Sequence, residues 1–96
     1  MTARELEAAL LARCALAARE AQSSALDQRE ANVFRLAAMV VQSRFPREAK
    51  RLMGASERYF STHPDERLPP ADVVKSGWIF SLPRLRDMLS SQLEAR

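Results

Sequence analysis

Apolar residues recur along this chain with a helical period almost throughout. From Ala3 to Ala21 the first segment holds eight alanines together with Leu6, Leu10, Leu11 and Leu16. At 100° per residue, Leu6, Leu10, Cys14, Ala17 and Ala21 fall on one stripe, narrow and small enough for another helix to approach closely. Gln22-Ser23-Ser24 breaks the pattern. A second helix then starts with Ser24 or Asp27 as its N-cap, and Glu30, three residues after Asp27, gives the capping-box spacing. Leu26, Val33, Phe34, Leu36, Ala37, Val40, Val41 and Phe45 cover about half of its circumference. Gln28, Asn32, Arg35 and Gln42 fill much of the remainder. So broad an apolar face needs more than one neighbour, which makes this the central helix.

Pro46 interrupts it, because proline fits a first helical turn but clashes further in. A third helix begins there, either after a short turn or as a kinked continuation. Its buried face is Ala49, Leu52, Met53, Ser56, Tyr59 and Phe60. Residues 61–70 read Ser-Thr-His-Pro-Asp-Glu-Arg-Leu-Pro-Pro, the one long loop of the chain. Pro70 to Lys75 can form a short helix closed near Ser76-Gly77. Trp78-Ile79-Phe80 follows as an apolar plug, and Ser81-Leu82-Pro83 resembles an N-cap with proline in the first turn. The last helix places Leu82, Leu85, Met88, Leu89 and Leu93 on one face. No strand-type alternation persists. The expected fold is all-α: one domain over residues 1–96, a small helical bundle of three main helices plus a short helix and a C-terminal helix.

Composition narrows the class. Ala, Leu, Arg, Glu and Gln dominate, the chain has only two glycines, and hydrophobic residues make up 47%. That suits a folded helical protein and not a disordered one. A 96-residue chain buries a modest fraction of its surface, so association would add useful burial. The longest apolar run, Leu36 to Val41, is six residues, far short of the ~20 that a membrane span requires. The N-terminus lacks the pattern of a secretory signal, and the single cysteine, Cys14, fits a reducing compartment. The expected location is cytoplasmic, with no membrane partner. On its apolar stripe Cys14 reads as a buried small hydrophobe; the competing reading is a reactive thiol, which no neighbour at i±4 would activate.

Catalytic chemistry finds little support. The only histidine, His63, lies in the loop, and one His with one Cys makes no zinc site without several carboxylates. Asp65-Glu66 are adjacent loop carboxylates, and no phosphate-binding glycine loop or helical metal motif occurs. No catalytic residue, cofactor or metal is expected, and the chain reads as a binding protein, not an enzyme.

Charge supplies a location. Residues 1–42 balance five Arg against five acids, whereas residues 43–96 carry eight Arg and two Lys against seven acids, the whole net +3. Arg47, Arg51 and Arg58 project together from the third helix, with Gly54 among them, Lys50 nearby, and Arg44 added if the helix runs back through Pro46. Arg47 and Arg51 stand about 6 Å apart along the axis, comparable with neighbouring phosphates. This stripe meets either phosphates or an acidic protein surface, or is a solvated charged face, and codon usage in a high-GC genome would also enrich arginine. Aromatic interleaving of the single-strand-binding kind is missing. A helix-turn-helix around Phe45-Pro46 lacks the usual turn glycine. Trp78 is either the plug that closes the bundle or an anchor for a partner. The leading expectation is a helical protein-interaction module, an assembly subunit, adaptor or small inhibitor that binds another protein or its own copy. The alternative is a basic helical subunit touching a nucleic-acid backbone within a nucleoprotein complex, with Arg44, Arg47, Lys50, Arg51, Arg58 and Trp78 as contact residues in either case.

Overall fold

The computed structural model describes residues 2–20 and 25–95. Helix α1 (Ala3–Arg19) opens with a reciprocal cap: Glu5 N–H donates to Thr2 Oγ1 and Thr2 N–H donates to Glu5 Oε2. Helix α2 (Gln28–Val41) opens the same way through Asp27 and Glu30, so of the two candidate caps Asp27 is the one used; Ser24 and Ala21 lie outside the described residues. Such caps satisfy amide groups that the first helical turn cannot.

Helices α2 and α3 (Pro46–Phe60) are separate. Phe45 sits at φ −129°, ψ 68°, outside the helical region, and Pro46 starts α3 as its first residue. A 3-10 turn, Pro64–Glu66, interrupts the proline-rich loop. The short helix α4 (Pro70–Lys75) is capped by Ser76 and followed by Gly77, whose φ of 83° lies in the left-handed region that favours glycine. Ser81 caps α5 (Leu82–Glu94) by accepting from Arg84 N–H at 3.3 Å. No strand occurs among the described residues.

One hydrophobic cluster draws on every helix, from Leu11 and Cys14 through Phe34 and Leu52 to Val73, Ile79, Leu85 and Leu89. The central helix is α2, which contacts the other four. Its buried face is rotated slightly from the expected one: Ala38 and Val41 are fully enclosed, while Val40 is only half-buried. Leu82, expected in the core, is exposed, because it occupies the first turn of α5 and the helix closes on the bundle only from Leu85 onward. Tyr59 is half-buried, beside the loop.

Two buried polar side chains hold irregular backbone against the helices. Asn32, expected on the polar side of α2, is 1% exposed. Its Nδ2 donates to the carbonyls of Gln28 (2.9 Å) and Glu66 (3.0 Å), and its Oδ1 accepts from Leu68 N–H at 2.8 Å. The amide fastens the proline-rich loop to the central helix. Glu7, on α1, is 2% exposed; its Oε2 accepts from Phe80 N–H at 2.8 Å and its Oε1 stands 3.5 Å from Arg84 Nε. It secures the segment between α4 and α5. Loop backbone packed on a core is tolerated only when its polar groups find such partners. Burial pushes the Cys14 thiol up, with Glu30 adding to the effect and Arg13 opposing it, so Cys14 is a protonated core residue.

Candidate functional site

The basic side chains of the C-terminal half do not form one continuous row. Arg44 pairs with Glu94 at the end of α5 and lies 5.7 Å from the Phe45 ring. Arg51 reaches across to α1, where its Nη1 donates to the carbonyls of Ala18 (2.8 Å) and Arg19 (3.0 Å). These oxygens belong to the last turn of α1, which has no intrahelical donors for its final carbonyls and concentrates the negative end of the helix dipole. Arg51 therefore caps a neighbouring helix. Arg58 is exposed and lines a cavity of about 250 Å³ with Leu26, Tyr59 and His63. Arg47 and Lys50 are exposed on the first turns of α3.

Trp78 is half-buried and packs on the core beside fully buried Ile79. Phe80 is the outward member of the plug, 43% exposed, with the Arg84 guanidinium 5.1 Å from its ring centroid. Ile79 turns inward between the half-buried Trp78 and the exposed Phe80, and no signal in the sequence distinguishes the exposure of the two aromatic residues.

At the far end of α3, His63 stacks on Tyr59 with ring centroids 4.4 Å apart. The Tyr59 hydroxyl donates to Glu66 Oε1 at 2.8 Å, and His63 Nε2 lies 4.0 Å from Glu66 Oε2. Burial, and then the bond to Glu66, push the Tyr59 phenol up. His63 Nδ1 sits 3.2 Å from the Tyr59 carbonyl oxygen and 2.9 Å from Thr62 Oγ1. These contacts fasten the loop to the end of α3. No group of three His, Cys, Asp or Glu side chains among the described residues is arranged to hold a metal ion.

The larger of these two cavities, about 550 Å³, is an open groove lined by α2 and α3. Ala38 and Gln42 line it from α2, and Pro46, Ala49, Met53 and Gly54 from α3, with the charged side chains of Lys50 and Glu57 bordering it. It is mostly apolar because α3 places small residues toward α2. Gly54 stands out here. It occupies the middle of a 15-residue helix, where glycine costs about 1 kcal/mol relative to alanine. A Cβ at this position would meet no atom within 4 Å. Packing inside the fold therefore does not require glycine at 54. Gly54→Ala should raise stability by about 0.5–1 kcal/mol, read as a higher midpoint in urea; a lower midpoint would mean that the space over Gly54 is needed internally.

Compared with models of protein families, with curated proteins and with solved structures, the chain finds no match in any of the three. The class defined by fold and surface is a small all-α bundle with an open groove lined by α2 and α3, and no helix among the described residues is long and apolar enough to cross a membrane.

Proposed function

We propose that this chain is a non-enzymatic, cytoplasmic protein–protein interaction module, an assembly subunit, adaptor or small inhibitor, whose docking surface is the α2–α3 groove. The observation that carries this reading is Gly54. A mid-helix glycine with nothing packed over it, set in a mostly apolar groove, leaves room for an outside backbone to come within helix–helix contact distance. Helix-in-groove recognition uses this combination of a shallow apolar channel and charged borders. Arg51 and Arg44 take little part, since both are engaged within the chain; Lys50 borders the groove, and Arg47 lies close to it along α3.

The test compares affinity capture from the native host by the wild-type chain and by Gly54→Arg, each with and without nuclease. A set of proteins retained by the wild type, insensitive to nuclease and lost with Gly54→Arg, supports the module. Proteins retained equally by both chains would remove the groove from the function. A second reading, contact with a nucleic-acid backbone, is favoured by the exposure of Arg47 and Lys50 side by side at the start of α3. It requires nuclease-sensitive capture that weakens with Arg47→Glu and with added salt.

A further inference from the structure

We propose that the occupant of the α2–α3 groove is a second copy of this chain, with the two α3 helices crossing antiparallel at Gly54. This deepens the interaction-module reading and rests on it. Lys50, Met53, Gly54 and Glu57 follow one another at i, i+3, i+4 and i+7, so they lie along one line of the helix surface. Lys50 and Glu57 are about 10.5 Å apart along the axis, and the midpoint between them falls between Met53 and Gly54.

A two-fold axis through that midpoint sets Lys50 of each chain against Glu57 of the other. An isologous interface requires a surface that complements itself, and a line with a cation at one end, an anion at the other and a glycine at its centre does so in the antiparallel sense only. A parallel approach would set lysine against lysine. Under the same rotation Arg47, Arg51 and Arg58 come level with Phe60, Ser56 and Ala49, so no arginine of α3 meets another. The same rotation sets Gly54 of each chain opposite Met53 of the other, so the absence of a side chain at 54 leaves room for that Met53 at the crossing, and the groove beside it takes apolar side chains. Met53 of the partner copy supplies one, and its flexible thioether fits irregular gaps.

Glu57 already accepts from Arg67 at 3.0 Å. That pair is half exposed, and a carboxylate has acceptor sites for both cations, so the intrachain contact and the proposed one coexist.

The experiment is sedimentation of the full chain from low micromolar to millimolar concentration, with helicity checked by circular dichroism for every variant. The wild type should associate to a dimer. Lys50→Glu and Glu57→Lys each replace two attractive contacts by two repulsive ones and should raise the dissociation constant about tenfold or more. The combined Lys50→Glu/Glu57→Lys chain should return to within about threefold of the wild type, since two exposed pairs are restored; loss of the Glu57–Arg67 pair cannot produce that rescue. Gly54→Trp, whose side chain projects into open space in the monomer, should remain folded and monomeric. A wild-type chain that is monomeric at all concentrations overturns the dimer, as does a dimer indifferent to both single reversals. If Gly54→Arg still abolishes capture of other proteins while the wild type stays monomeric, the groove serves a different chain, so the dimer fails and the interaction-module reading stands.

Discussion

Val41→Asp should abolish cooperative folding, whereas Val40→Asp should leave a folded protein that melts at a lower temperature. Val41 is 1% exposed in the core, and Val40 is half-buried at its edge. An aspartate at 41 would be enclosed in the apolar core, at a cost of about 4 kcal/mol or more. A chain of this size has about 5–10 kcal/mol in total. At 40 the carboxylate can turn outward to water, and the loss is about 1–2 kcal/mol of packing. Both substitutions place an acid in the last turn of α2, where the helix dipole disfavours it, so the contrast between them isolates burial. Far-ultraviolet dichroism and a thermal melt read both variants. Equal melting of the two would mean that the buried face of α2 is not centred on Ala38 and Val41.

The second large effect belongs to Asn32. Asn32→Ala should cost about 3 kcal/mol and lower the melting temperature by about 10–20 °C. The substitution removes little apolar contact. It strands Leu68 N–H and leaves the Glu66 carbonyl only its 3.5 Å contact with Gln28 Nε2. The loss should also be local before it is global: hydrogen exchange at the Leu68 amide should accelerate well beyond that of the α2 core amides. Asn32→Asp is nearly isosteric and keeps an acceptor for Leu68, yet it has no donor for the Gln28 and Glu66 carbonyls and sets a charge against them. It should be no more stable than Asn32→Ala. An aspartate variant close to wild type would show that only the acceptor matters.

Both predictions concern places where a one-dimensional pattern is least informative. Helical periodicity locates the face of α2 to within about one residue, because neighbouring positions differ by 100° and a broad apolar face tolerates a small rotation. Val40 and Val41 are chemically identical in the sequence; only the placement of α3 and α5 against α2 separates them. Asn32 reads as polar surface for the same reason. Its partners lie 34 and 36 residues further along the chain, and no local spacing signals a loop that returns to cover it. Glu7, whose amide partner is 73 residues away, is equally invisible. The cap of Asp27 and Glu30, by contrast, is legible from its local spacing; Thr2 and Glu5 carry the same three-residue signal, and it was the structure that revealed them as the cap of α1.

The candidate surface divides in the same way. Gly54 and the cluster of cations around it stand out in the sequence, since glycine and closely spaced arginines are both unfavourable inside an isolated helix. What each cation does was decided by the neighbouring helices. Arg51 is drawn to the exposed carbonyls at the end of α1 and Arg44 to Glu94, which leaves Lys50 and Glu57 as the charged borders of the groove.

By itself, then, the sequence determined the order of the helical segments, the interruptions at Pro46 and Gly77, a cap at Ser24 or Asp27, and most core positions of the helix interiors. These depend on backbone chemistry and on a period of 3.6 residues, both of which act over a few neighbours. That α2 and α3 are separate helices and that Asp27 is the cap came from the structure. Only the tertiary structure decided which polar groups are buried, which arginines are engaged and where the surface opens. Those outcomes depend on which carbonyls, amides and side chains the packed helices bring within about 3 Å of one another, and contacts spanning 30 to 70 residues leave no periodic trace in the chain.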